Sequence, residues 1–159
     1  MKELEYLGNK DLLKKKKWGF LASRQVASNE VLLCYDWATE RSKSGDCVVS
    51  GFSSKMEKDV LHFLLKGEQS VIMVLARQMY KVVPADLKEA LEQNRLLIIS
   101  TSNAARQSRA TALARNRYVC EMAEQVVLVG DEHSENLRLL SIQFAYKIDL
   151  LRSNVSLTL

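Results

Sequence analysis

Glycine and proline are scarce in this chain, at 6 and 1 among 159 residues. Glycine ordinarily supplies about 7% of a globular protein, so a sandwich or barrel turning every ten residues is poorly served. No G-x-G-x-x-G and no G-x-x-x-x-G-K-[ST] occurs, which excludes the common glycine-rich phosphate loops. Cysteine is sparse as well. Cys34, Cys47 and Cys120 are odd in number, far apart, and each set in an apolar stretch. There is no Cys-x-x-Cys, and His62 and His133 have no Cys or His neighbour at ligand spacing, so no metal site and no other cofactor is expected. Free buried thiols in a reducing compartment are the simple reading, and with them a cytoplasmic protein. The charged start Met1–Glu5 leads into no long apolar segment, so no signal peptide is expected. The longest aliphatic run, Val71–Ala76, is too short to span a membrane.

What is present is the composition of a globular domain, 47% hydrophobic and 26% charged. One domain over residues 1–159 is expected, with a lead-in at 1–17, a core at 18–150 and a tail or edge strand at 151–159. Trp18–Ala22, Cys47–Ser50, Val71–Ala76, Leu96–Ser100 and Val126–Val129 are short and rich in Val, Ile and Leu. Strands buried on both faces read this way. Between them, apolar residues recur at helical spacing: Val31, Cys34, Tyr35 and Ala38; Met56, Val60, Phe63 and Leu64; Leu87, Ala90 and Leu91. Ala110, Leu113 and Ala114 predict a fourth helical face, and Leu137, Leu140 and Phe144 a fifth. Strands alternating with helices mean βαβ units with right-handed crossovers, hence an α/β fold with a mostly parallel sheet of five or six strands.

Ligands of such sheets sit beyond the carboxyl ends of the strands. The loops there hold Ser23 and Arg24, then Ser50, Gly51, Ser53, Ser54 and Lys55, then Arg77 and Gln78. The fourth loop offers Thr101, Ser102, Asn103, Arg106 and Arg109, whereas the fifth, Asp131-Glu132, is acidic. Charge is also blocked along the chain. Arg95, Arg106, Arg109, Arg115 and Arg117 fall in a segment without Asp or Glu, which suits a phosphate-bearing ligand because guanidinium forks bind phosphate bidentately. Lys14–Lys17 reads instead as a solvated face. Trp18, Trp37 and Tyr35 read as core, with Tyr80 and Tyr118 as candidates for exposure. His62 falls on a helix away from any strand end, and His133 lies in a solvated loop with no nucleophile elbow nearby. No catalytic residue is expected.

Several segments carry a resemblance to a family. Tyr6-Leu7-Gly8-Asn9-Lys10-Asp11-Leu12-Leu13 resembles the Y-x-G-N-x-x-L-L lead-in of the DNA-processing protein A (DprA, or Smf) family. Phe20–Arg24 resembles its strand ending in G-S-R, and Val48-Val49-Ser50-Gly51 its V-V-S-G strand, with Phe52–Glu57 over the L-A-x-G-I-D continuation. Val74-Leu75 through Val83-Pro84 is similar to V-L-G-x-G-x-x-x-x-Y-P, and Arg115-Asn116-Arg117 to the R-N-R helix start. The resemblance implies a Rossmann-like three-layer α/β/α sandwich of the Smf/DprA–LOG superfamily. It further implies single-stranded DNA binding along a basic pocket, a homodimer, and a recombinase as partner. By motif match, Ser23, Arg24, Ser50 and Gly51 would contact phosphate, Arg115 and Arg117 would form a basic element, and Asn116 would be structural. With Lys55, Arg77, Arg106 and Arg109 from the strand-end loops, these are the candidate binding residues.

The family's turn glycines are largely replaced here. Ala22, Lys55, Ala76 and Gln78 stand in their positions, and Glu57 replaces an aspartate. Lys55 and Gln78 would intrude on the pocket and Glu57 would bring negative charge toward it, so a degenerate phosphate pocket is expected. Two other readings stay open: a nucleotide sensor or nucleotide-processing enzyme of the same superfamily, and a degenerate domain kept for protein–protein contact.

Overall fold

The apolar runs build the centre of one sheet. A computed structural model describes residues 3–130 and 135–152. In chain order the elements are β1 (Glu5–Gly8), a 3-10 helix (Lys10–Lys14), β2 (Lys17–Ala22), α1 (Ser28–Ser44), β3 (Cys47–Ser50), α2 (Lys55–Lys66) and β4 (Val71–Leu75). There follow α3 (Ala85–Glu92), β5 (Leu96–Ser100), α4 (Arg109–Met122), β6 (Gln125–Val129), α5 (Glu135–Gln143) and β7 (Ile148–Leu150). The spatial order is β1-β5-β4-β3-β2-β6-β7, with every pairing parallel except that of β1 with β5. All five expected strands are present. The sheet has seven rather than five or six because two short edge strands close it.

Each central strand divides its side chains between two layers. Val71, Met73 and Leu75 of β4 pack toward α1, α2 and α3, whereas Ile72 and Val74 pack toward α4 and α5. Fully burying each such side chain stabilises the fold by about 1.5–3 kcal/mol. That two-sided burial makes the strands unbroken apolar runs rather than alternating ones. Trp37 stacks on Phe20 at 5.3 Å between ring centroids, and the half-buried Trp18 meets Trp37 edge-on at 6.2 Å. These aromatics are core, as expected. Tyr35, Tyr80 and Tyr118 are half-buried.

Two local expectations are corrected, on α4 and on the lysine run, and the two ends of the chain gain detail. The lead-in belongs to the sheet: Leu12 is buried, and β1 pairs along β5 through Gly8 opposite Leu97. Gly8 has φ +112°, and a Cβ there would stand 2.3 Å from the Leu96 carbonyl oxygen, so only glycine fits this edge. The added strand at the carboxyl end is β7, upstream of 151–159; residues beyond Arg152 lie outside the described residues, as do Asp131, Glu132, His133 and Ser134. The face of α4 is also displaced from the expected one. Ala110 and Ala114 are exposed, and Arg115, Val119 and Cys120 are the buried positions. Finally, the lysine run is not wholly solvated. Lys17 is buried, its Nζ donating to the Leu13 and Lys15 carbonyls at 2.9 Å each and to Glu124 Oε1 at 3.2 Å.

Candidate nucleic-acid interface

From β2 the chain moves outward through β3, β4 and β5, then returns to place β6 on the other side of β2. Loops leaving β2 and β6 therefore diverge, and a crevice opens at this switch point. A cleft of about 970 Å³ lies there, the size of a generous ligand pocket. Its walls come from the loop after β2 (Ser23, Arg24, Gln25), the start of α2 (Ser53, Ser54, Lys55, Glu57) and the start of α4. Leu137 of α5 closes one side.

Two helix N-termini face this space. Ser54 caps α2, its side chain accepting from the Glu57 N–H, and Ser108 caps α4, accepting from the Thr111 N–H at 3.1 Å. Their partial positive charge favours an anion. Gln107 Nε2 donates to Ser53 Oγ at 3.0 Å, tying together the loops that lead into the two helices. Arg24 and Arg109 are exposed on the rim. Lys55 is on the rim too, 84% exposed and paired with Asp59 at 3.2 Å. It therefore projects outward rather than filling the cleft, and Gln78, held by its N–H on the Ala104 carbonyl, is absent from the lining. The expected obstruction by these two side chains does not occur.

The floor contains two buried charged side chains, Glu57 and Arg115. Glu57, 4% exposed, accepts at Oε2 from the Ala22 N–H (2.9 Å) and at Oε1 from the N–H groups of Ser53 (2.8 Å) and Ser54 (3.2 Å). Its carboxylate is turned into the fold, not out into the solvent of the cleft. Arg115, 3% exposed, donates from Nε to Asn116 Oδ1 at 2.7 Å and from Nη1 to the Val74 carbonyl at 3.3 Å. Burial lowers the Arg115 pKa, and the Glu57 charge opposes that shift. Gly51 lies directly against this guanidinium: a Cβ at that position would be 2.2 Å from Nη1 and 2.3 Å from Cζ. The glycine of the V-V-S-G segment is thus required by an internal arginine. Ser50 is fully buried, its Oγ accepting from the Phe52 N–H at 3.0 Å, and neither Ser50 nor Gly51 lines the cleft.

The candidate residues consequently separate. Ser23, Arg24, Lys55, Arg109, Arg115 and Asn116 meet at the cleft. Ser23 is buried and donates from Oγ to the Gln25 carbonyl at 2.6 Å, so it shapes the loop that carries Arg24. Arg77 lies over the Tyr80 ring at 5.3 Å, Arg117 reaches Gln143 Oε1 at 3.5 Å, and Arg106 is exposed; none of the three lines the cleft. Arg95 is structural, donating to the Gln69 and Leu65 carbonyls at the opposite edge of the sheet. Sequence reasoning missed Gln25, Gln107 and Ser108. Ser108, three residues before Thr111 and opening a helical stretch, was legible as a cap. It also missed buried Phe52, whose φ of +49° strains the turn after β3 and has no local signal.

Comparison with known proteins agrees with this architecture. The family model described as DNA recombination-mediator protein A matches residues 2–149. No curated protein matches the sequence. Among solved structures, DNA processing protein A from Helicobacter pylori, described with its single-stranded DNA binding mode, is similar at TM-score 0.75 and 20% identity, over 97% of this chain and 74% of that one. DNA processing protein A from Streptococcus pneumoniae is similar at TM-score 0.74 and 18% identity, over 92% of this chain and 53% of that one, so this chain spans about half its length. A molybdenum cofactor binding protein from Rippkaea orientalis shares the fold at TM-score 0.59 and 15% identity, over 89% and 79% of the two chains.

Proposed function

Since the chain belongs to the DNA recombination-mediator protein A family, we propose that it binds single-stranded DNA across the cleft at the β2–β6 switch point, without catalysing a reaction on it. The observation that carries this reading is the convergence of Arg24, Lys55 and Arg109 with the N-termini of α2 and α4 on one edge of the sheet. Exposed cations on a strand-end rim suit an extended polyanion, because each can meet a separate phosphate while polar side chains between them bond to sugars and bases. A net charge of +4 assists the encounter. The premise extends to a homodimer and a recombinase partner acting in the cytoplasm, to be checked by the mass in solution and by pull-down of a purified recombinase.

The test is fluorescence anisotropy of a labelled single-stranded oligonucleotide at graded salt. Three rim cations, each meeting one phosphate, give a log–log slope of about −2, at roughly −0.7 per phosphate. Replacing Arg24 and Arg109 together by alanine should bring the slope to about −0.7 and weaken binding about tenfold or more. Undetectable binding at low salt, or a slope that ignores the double substitution, refutes the assignment.

A further inference from the structure

The innermost donors of the cleft are already engaged. At the start of α2 and the end of β2, the Ser53, Ser54 and Ala22 N–H groups converge, as backbone nests that hold phosphate do. All three point at one carboxylate, that of Glu57, which is 4% exposed. A carboxylate presents acceptor oxygens to N–H donors as phosphate does. Any phosphate descending toward these amides therefore meets a negative charge and three donors already engaged. On the rim the balance is reversed, since Arg24, Lys55 and Arg109 stand there and Glu57 is the one acid among the described lining residues.

We propose that Glu57 is a built-in anionic ligand of the cleft floor, a specificity-determining residue that makes the cleft select a chain of phosphates lying across its rim over a single phosphate seated within it. This deepens the DNA-binding reading and rests on it for the identity of the chain of phosphates. Nucleoside monophosphates and free phosphate are thereby rejected, whereas a strand gains from several rim contacts at once. The arrangement also differs from an ordinary helix cap. A capping box at N3 is satisfied by Gln as well as by Glu, but here both oxygens accept, Oε1 from Ser53 and Ser54 and Oε2 from Ala22, and an amide would set its NH2 against one of these donors.

Two measurements test it. The first follows displacement of a labelled oligothymidylate from the wild-type chain. Unlabelled oligonucleotide should compete at concentrations about 100-fold or more below thymidine monophosphate or inorganic phosphate, and competition by either at equal concentration overturns the proposal. The second needs no DNA and uses thermal unfolding at constant ionic strength. Glu57→Ala should unfold several degrees lower and recover about 3 °C or more in tens of millimolar acetate or phosphate, with the wild type moving by less than about 1 °C. Equal response of the two proteins overturns the proposal. Should the alanine variant not fold, Glu57→Gln decides. A midpoint about 4 °C or more below wild type supports the anionic role, and a midpoint within about 1 °C shows a mere cap and overturns it. Failure of the oligonucleotide to bind at all would remove the DNA reading, while the acetate response would still report on the nest.

Discussion

Replacing Gly51 by alanine should damage the protein through Arg115 alone. The new methyl would lie 2.2–2.5 Å from Nη1, Cζ and Nε of Arg115, so the guanidinium must withdraw by about 1 Å to reach ordinary contact. That movement breaks its 3.3 Å bond to the buried Val74 carbonyl. A hydrogen bond to a charged group contributes about 1.5–3 kcal/mol, and with the strain of overpacking a buried site the expected loss is about 2–4 kcal/mol. Native stability is about 5–15 kcal/mol in all. At a urea dependence near 2 kcal/mol per molar, the unfolding midpoint should fall by about 1–2 M. Arg115→Ala should cost about 2–5 kcal/mol, because it removes a buried side chain together with its bonds to Asn116 and the Val74 carbonyl. The double variant discriminates. With the guanidinium gone, the methyl at position 51 enters vacated space and should cost under about 0.5 kcal/mol more, giving a coupling energy nearly equal to the Gly51→Ala loss. Additivity of the two single losses would refute the claim that Gly51 exists to accommodate Arg115.

Two further outcomes follow from titrating groups. Burial pushes the Cys34, Cys47 and Cys120 thiols up to about 12, roughly a thousandfold below the thiolate content of an exposed cysteine at pH 8; a thiol reagent should therefore modify none of them in the native protein and all three in urea, and native modification at the free-thiol rate would contradict the core assignment. Glu124 is raised by burial but lowered on balance by hydrogen bonds from the Lys17 backbone and ammonium. A carboxylate held low stabilises the fold above its ordinary value near 4.3 and loses that contribution as pH falls through its folded value. Glu124→Gln should accordingly be less stable at neutral pH and show a shallower decline below about pH 4; superimposable acid limbs would dismiss the Lys17–Glu124 contact as a stabilising one.

The central strands were legible because a parallel strand buried on both faces needs only an apolar run, and β2 to β6 each supply one. Their carboxyl-end loops followed from the alternation with helices, and with them Arg24, Lys55 and Arg109. The edge strands were not legible, since β1 and β7 are partly exposed and owe their conformation to neighbours remote in sequence. The face of α4 was misread for a related reason: periodicity counts apolar residues, and the buried face includes an arginine.

The scarcity of glycine illustrates the same division. The sequence by itself determined an α/β chain with cations at the strand ends and no glycine-rich phosphate loop. Whether the substitutions at the family's glycines closed the cleft depended on where long side chains turned. Lys55 swings out to Asp59, and Glu57 turns inward to three backbone amides. Gly51 survives under a guanidinium that arrives from another helix. Such directions belong to tertiary structure because local partners alone leave them open: the Ala22 amide that completes the hold on Glu57 and the Arg115 guanidinium over Gly51 come from parts of the chain tens of residues away.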